Sequence, residues 1–284
     1  MATEKWTPAP LPDLSGRTVV VTGASSGLGA VTARELARAG ARIVLAVRNL
    51  AKGRSVAEGI KGDTEVRALD LGDLASVRAF ADSWSEPLDI LINNAGIMGV
   101  PQGRTADGFE LQFGTNHLGH FALTNLLLPH ISDRIVTLSS GLSFMGRIQL
   151  DDLNWQNRPY KPMRAYAQSK LANLLFTVEL QRRLTERSSS VRALNAHPGV
   201  ATTPLEQHLR GLTGAFTRFS YLFYAQRKAE YGALPVLYAA TQDVAGGSYV
   251  GPSAATVSVL ASRSAPHATP TPPWRVACGT GPRN

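Results

Sequence analysis

The sequence predicts an α/β fold, a single doubly wound domain with a seven-stranded parallel sheet flanked by helices. Three observations lead there. Short runs rich in Val, Ile and Leu alternate with longer segments of helical periodicity, the pattern of strands covered on both faces by crossover helices. The first run leads directly into a glycine-rich turn, Gly23, Gly27 and Gly29, that opens a helix. A length of 284 residues is enough for one large core, and nothing in the composition calls for a second.

The strands are expected at residues 18–21, 43–47, 66–69, 90–92, 135–138, 191–195 and 248–250. Between them, helices are expected at 27–39, 74–84, 109–130, 165–187 and 227–241. The segment 165–187 carries Leu171, Leu174, Leu175, Val178 and Leu184 at helical spacing, with charges on its other side, so it should pack on the sheet. Residues 149–163 break the rhythm: they are polar, hold Pro159 and Pro162, and read as a loop inserted before that helix. Residues 203–226 mix Leu205, Leu209, Phe216, Phe219 and Tyr221 with Arg210 and Arg218. That composition fits a substrate lid, an interfacial membrane helix or a core helix pair, and the lid is preferred because α/β sites are built from loops at strand ends. The domain, lid included, is expected to end at residue 253. Residues 254–284 have no acidic residue, and 265–284 are rich in Pro, Thr and Gly without apolar periodicity, so 254–284 are expected to form a poorly ordered tail.

Composition excludes several function classes. A single cysteine, Cys278, allows no intramolecular disulfide and no cysteine cage for a metal, which suits a reducing cytoplasm. His117 and His120 could share a helix face, but no third ligand is spaced to complete a metal site. No apolar run approaches the roughly 20 residues of a bilayer span, and residues 1–13 do not resemble a signal peptide. A soluble, cytoplasmic protein is expected. The net charge of +8 is dispersed among acidic residues rather than gathered into a stripe, which argues against nucleic acid as a partner.

The turn Thr22-Gly23-Ala24-Ser25-Ser26-Gly27-Leu28-Gly29 points to a nucleotide. Glycines allow a tight turn and close backbone approach, while the following helix offers free amides and a positive dipole end to a pyrophosphate. Its spacing is Gly-x-x-x-Gly-x-Gly, a departure from the commoner Gly-x-Gly-x-x-Gly. After the second strand, where an acid would bind ribose hydroxyls, the chain has Arg48 and Asn49. A guanidinium there can pair with a 2′-phosphate, so NADP(H) is preferred over NAD(H).

Tyr166 and Lys170 lie four apart on the expected helix, so a phenol and an ammonium share one face. Tyr224 and Lys228 repeat that spacing, and position must decide between them. With Asn93-Asn94-Ala95-Gly96 after the fourth strand and Ser139-Ser140 after the fifth, the chain resembles the short-chain dehydrogenase/reductase family, which has a Rossmann-like fold. The inserted Asp151-Asp152-Leu153-Asn154 and the run Ser169-Lys170-Leu171-Ala172-Asn173 resemble its retinol-dehydrogenase-like branch. The resemblance covers residues from about 13 to 252.

The resemblance implies a catalytic tetrad of Asn116, Ser140, Tyr166 and Lys170, with Ser139 taking the place of Ser140 if the motif slips by one residue. Asn116 would link Lys170 to water, or satisfy local backbone groups as a buried amide, and the two roles are compatible. The resemblance also implies Asp70 and Leu71 at the adenine, Asn94, Ala95 and Gly96 under the adenosine end, and Pro198, Gly199, Val200 and Thr202 beside the nicotinamide. Tyr224 and Lys228 follow that last motif, fall beyond the nucleotide site and become lid residues. Relatives of this branch usually continue into a charged terminal helix, so the acid-free tail reads as out of frame or diverged.

The expected activity is hydride transfer between NADP(H) and an alcohol or carbonyl group of an apolar small molecule, with Tyr166 as general acid and base. Using a phenol near neutral pH means favouring its phenolate by about three pH units, roughly 4 kcal/mol, through positive charge on Lys170 and on an oxidised nicotinamide. The rival from another class is a catalytically silent NADP(H)-binding regulator. A protochlorophyllide-reductase-like role is disfavoured because Cys278 lies in the tail. Helices 109–130 and 165–187 are where family members often dimerise, which makes a homodimer an option.

Overall fold

In the computed structural model, the described residues are 3–4, 11–199, 229–253 and 256–260. Seven strands run parallel: β2 (Thr18–Thr22), β3 (Arg42–Val47), β4 (Thr64–Ala68), β5 (Leu88–Asn93), β6 (Ile131–Leu138), β7 (Arg192–Ala196) and β8 (Tyr249–Ser253). Two more strands extend one edge: β9 (Thr256–Leu260) pairs antiparallel with β8, and β1 (Thr3–Glu4) pairs antiparallel with β9. The order across the sheet is β1-β9-β8-β7-β6-β5-β2-β3-β4. Strand order reverses between β2 and β5, and in open α/β sheets ligands bind outside the carboxyl ends of the strands at that point.

Alternation along the strands divides the core between the two faces of the sheet. Val19, Val21, Ile43, Leu45, Ile90 and Ile92 pack on one side, against α1 (Gly27–Arg38) and α7 (Ala229–Thr241). Val20, Val44 and Leu91 point the other way, toward α3 (Leu74–Asp82), α5 (Gly119–Leu127) and α6 (Pro162–Glu186). Each of these side chains contributes about 1.5–3 kcal/mol of burial, which fixes the carboxyl ends that carry the site.

Several expectations need correction. A helix α2 (Leu50–Glu58), capped by the Asn49 side chain on the Lys52 amide at 3.0 Å, lies where the sequence suggested no helix. Gly53 hides it: a Cβ there would stand 2.6 Å from a Val47 methyl, so close packing on β3 requires the residue that most weakens a helix signal. The helix expected at 109–130 is broken into α4 (Leu111–Phe113), a π turn over Gly114–Leu118, α5 and a 3₁₀ turn over Leu128–His130. Proline at the first helical position starts α6 at Pro162, inside the expected loop, which also holds a 3₁₀ turn at Leu150–Asp152. The boundary at 253 falls between two paired strands, since residues 256–260 of the expected poorly ordered tail form β9. The lid at 203–226, with Tyr224, Lys228 and residues 261–284, lies outside the described residues.

Candidate active site

The nucleotide turn stands at the carboxyl end of β2. Gly23 has φ +67°, and a Cβ there would lie 2.9 Å from Ala95. Gly29 packs closer still, with Asn94 Nδ2 at 2.5 Å and the Gly23 carbonyl at 2.6 Å from where its Cβ would be. The turn from β2 is therefore pressed against the loop after β5. Thr22 pins that loop: its hydroxyl accepts from the Asn94 and Ala95 amides at 2.9 and 3.0 Å, and its carbonyl accepts from Asn94 Nδ2 at 2.8 Å. The N-cap residue of α1, Ser26, makes no side-chain cap bond, so the helix presents its first amides outward. Asn94 Oδ1 is buried without a partner among the described residues. Gly27, Leu28 and Ser25 complete the turn, with Gly27 at φ +55°. Free helix amides and a glycine cradle suit the pyrophosphate of a dinucleotide, and the Asn94 amide oxygen, an acceptor, suits a ribose hydroxyl.

Arg48 ends β3 exposed and forms no ion pair among the described residues. Asp70 Oδ1 accepts from the Gly72 amide and the Asp70 amide donates to Ser76 Oγ, each at 2.9 Å, which fixes the turn after β4. Next to it, the Leu71 carbonyl packs against Gly119 at the start of α5. Pro198 and Gly199, the latter at φ +67°, follow β7 toward the same end of the sheet. Val200 and Thr202 lie outside the described residues.

Helix α6 brings Tyr166 and Lys170 to the carboxyl end of β6. Both are buried, Tyr166 at 5% exposure and Lys170 at 4%. The Lys170 ammonium donates to the Leu138 carbonyl at 3.0 Å and lies 5.8 Å from the Tyr166 ring centre. Gly96 completes the approach, since a Cβ there would meet Asn116 Oδ1 at 3.2 Å and Lys170 Nζ at 3.5 Å. Of the two serines, Ser139 turns inward and donates to the Lys170 carbonyl at 2.9 Å. Ser140 accepts from the Leu142 amide at 3.2 Å and keeps its hydroxyl within reach of the Tyr166 phenol. The structure thus brings Ser140, Tyr166 and Lys170 together.

Electrostatics differ from the expectation of an activated phenolate. Burial pushes Tyr166 up to about 12, with the Ser140 hydroxyl pulling the other way, and lowers Lys170 to about 8. Desolvation outweighs the pairing in the protein alone, which leaves Tyr166 a protonated phenol.

Asn116 occupies the π turn, and its side chain is spent on backbone. Oδ1 accepts from the Ile97 amide at 2.8 Å, and Nδ2 donates to the Ile97 carbonyl and to Ser169 Oγ, each at 2.9 Å. No hydrogen bond joins it to Lys170 among the described residues. Its carbonyl accepts from Asn173 Nδ2 at 3.0 Å and lies 2.9 Å from His120 Nδ1. Because a carbonyl can only accept, that nitrogen carries the proton, and Nε2, 2.9 Å from the Thr22 hydroxyl, accepts. His120 is thereby the link between the glycine turn and Asn116, while His117 turns to Asn173 Oδ1 at 3.1 Å.

Sequence reasoning missed Tyr249 on β8. Its ring stacks on His197 with centroids 4.9 Å apart, and Phe144 meets it edge-on at 5.7 Å. Burial pushes this phenol up to about 12, with Ser143 and Ser139 opposing and Tyr166 adding to it. Those hydroxyls are near enough to act on it without hydrogen-bond geometry, since Tyr249 Oη and Ser143 Oγ both lack a partner among the described residues. No sequence pattern marks a strand-end aromatic as part of a site.

A dinucleotide cradle at the switch point, with a phenol and an ammonium beside it, defines a hydride-transfer enzyme. The family model for short chain dehydrogenases matches residues 17–211, and the chain belongs to that family of NAD(P)-dependent oxidoreductases. Among curated relatives, it is 47% identical to retinol dehydrogenase 13 of Homo sapiens over 245 residues, covering 81% of this chain and 73% of the relative. It is 41% identical to retinol dehydrogenase 12 of Mus musculus over 277 residues, covering 93% and 86%. A crystal structure of an uncharacterized protein from Mycobacterium paratuberculosis superposes with a TM-score of 0.79 at 53% identity, covering 91% of this chain and 90% of that one. A short chain dehydrogenase from Burkholderia cenocepacia J2315, solved with NADP, gives 0.67 at 26% identity, covering 84% and 97%. These place the chain in the retinol-dehydrogenase-like branch. No helix among the described residues is long and apolar enough to cross a membrane.

Proposed function

We propose that this protein is an NADP(H)-dependent alcohol dehydrogenase or carbonyl reductase acting on a small molecule with an apolar body, with Tyr166 as general acid and base. The observation that carries the reading is the buried Tyr166 above Lys170, whose ammonium is tied to the Leu138 carbonyl at 3.0 Å while Ser140 stays within reach of the phenol. A nicotinamide, when bound, supplies or takes up the hydride.

The chain's own residues handle the oxygen and its proton. In the reduction direction, Tyr166 gives its proton to the substrate oxygen as the carbonyl carbon receives hydride, so a phenol pushed up to about 12 is in the form the step needs. Ser140 donates a hydrogen bond to the same oxygen as charge develops on it. Lys170 holds positive charge beside the phenol, which matters most when Tyr166 must accept a proton in oxidation. Asn116 is a positioning residue: it fixes the backbone at Ile97, next to Gly96, and through Ser169 it steadies the turn of α6 that carries Tyr166.

Arg48 supports the preference for NADP(H), because an exposed guanidinium free of carboxylates at the end of β3 suits a 2′-phosphate. Phe121 and Leu126 remain 46% and 42% exposed on α5, which favours a homodimer across that helix, measurable by sedimentation. The single cysteine favours a cytoplasmic location, to be checked by cell fractionation. The deciding experiment is oxidation of NADPH, with NADH in parallel, against a panel of aldehydes, ketones and quinones. Turnover that falls by about a thousandfold in Tyr166→Phe while NADPH binding is retained supports the reading. Tight NADPH binding without turnover of any carbonyl in the panel would count against it.

A further inference from the structure

A cavity of about 490 Å³ opens between the inserted loop and the first turns of α6. Its walls pair an apolar side, Leu142, Met145 and Met163, with three guanidiniums, Arg147, Arg158 and Arg164. No described lining residue is a carboxylate. Arg158 is built in: its guanidinium lies 3.6 Å from the Trp155 ring centre, and Nη2 donates to the Asp152 carbonyl at 3.1 Å and Gln168 Oε1 at 3.0 Å. Asp152 is shared between Arg158 Nε at 3.3 Å and the amides of Gln156 and Asn157 at 2.6 and 3.3 Å. Arg147 and Arg164 are exposed and make no ion pair among the described residues. The Trp155 indole nitrogen, in a residue only 4% exposed, has no partner among the described residues. Burial lowers the pKa of Arg158, with Asp152 opposing and the neighbouring Arg164 adding to the lowering.

The cavity adjoins the proposed chemistry. Leu142 gives its amide to Ser140 Oγ, and Met163 and Ala167 flank Tyr166 on α6. The geometry points to a substrate with an anionic group, carboxylate or phosphate, at the end remote from the reacting carbon. Its anion sits among Arg147, Arg158 and Arg164, and its apolar body lies along Leu142, Met145 and Met163. The substrate assignment rests on the oxidoreductase reading above; the anion site itself does not.

The test separates the two. Calorimetric titrations with octanoate, octyl phosphate and 1-octanol report binding without chemistry, and the stronger of the two anions identifies the headgroup. At least one anion is expected to bind about tenfold or more tighter than the alcohol, a difference of about 1.4 kcal/mol. The exposed pair Arg147→Gln/Arg164→Gln should remove most of that advantage, and Arg147→Lys/Arg164→Lys should keep much of it. In turnover, 8-oxooctanoate should exceed octanal in kcat/KM, with the preference collapsing in the glutamine pair. Equal binding of anions and alcohol, or anion binding untouched by the glutamine pair, overturns the site. Anion binding without a turnover preference for 8-oxooctanoate over octanal overturns the substrate assignment alone, whereas failure across the whole carbonyl panel counts against the proposed reaction.

Discussion

The Lys170 ammonium stands 5.8 Å from the centre of the Tyr166 ring, with both side chains buried. Each is held against its preference in water, since burial lowers Lys170 to about 8 and pushes Tyr166 up to about 12. The pair therefore weighs on folding, and removing its charge should show this. A lysine whose folded pKa lies below its unfolded value contributes stability at high pH that is lost as pH falls. Between pH 8 and 10 the stability of the protein without cofactor should rise toward a total of about 3 kcal/mol, before Tyr166, with the opposite sign, begins to oppose it above 10.

Lys170→Met should flatten that rise and, at pH 7, make the protein more stable while turnover falls at least a hundredfold. The Leu138 carbonyl is not orphaned by the change, because Asn173 Nδ2 also donates to it at 3.1 Å. Urea midpoints from pH 7 to 10 check this. Parallel curves for wild type and variant would show that Lys170 carries no such cost.

The two serines after β6 should separate by phenotype. Ser139→Ala removes the bond to the Lys170 carbonyl and should cost about 1 kcal/mol of stability. Ser140→Ala leaves that anchor in place and should cost the larger share of kcat, about a hundredfold, because in the proposed mechanism its hydroxyl donates to the reacting oxygen. Thermal melts and steady-state rates on both variants decide it, and a larger loss of rate in Ser139→Ala would move the assignment by one residue.

Arg48→Asp should invert the cofactor preference. The side chain is exposed, and the neighbouring Asn49 cap on α2 does not depend on it, so the fold should tolerate the change. The ratio of kcat/KM for NADPH over NADH should fall by about two orders of magnitude, as a carboxylate repels the 2′-phosphate and accepts from ribose hydroxyls. An unchanged ratio would remove Arg48 from the cofactor site.

The parts of this site legible in the sequence are those set by local spacing. Tyr166 and Lys170 share a helix face because they are four residues apart, and Gly23 stands at a turn because its φ is positive. What could not be read depends on contacts between distant segments. The π turn at Gly114–Leu118 is bounded by glycines that let the helix press against Thr105 and the Leu71 carbonyl, and only the fold brings those neighbours there. Strand β9 exists because β8 offers an open edge, which acid-free composition does not announce. The sign of the Tyr166 shift was also illegible: chemistry argued for a phenolate, while burial, a tertiary property, favours the phenol.

His120 was legible only as half of a weak metal pattern, yet it ties the nucleotide turn to the π turn through Thr22 and the Asn116 carbonyl. Burial lowers it to about 3, with Lys170 and His117 adding in the same direction, and burial lowers His117 to about 4. Both histidines are neutral in the folded protein, so the stability they contribute is complete above the unfolded value near 6.5 and is lost as pH falls. Burial lowers His197 to about 4 as well, so with three such groups stability should drop by about 5 kcal/mol between pH 6.5 and 5, a range in which ordinary carboxylates have barely begun to protonate. His120→Gln keeps a donor and an acceptor on that side chain but removes one of the three titrations, so its slope over this range should be about two-thirds that of wild type. A flat urea midpoint from pH 6.5 to 5 in the wild type, or equal slopes in the two proteins, would mean that His120 reaches water and that the link between Thr22 and Asn116 opens in solution.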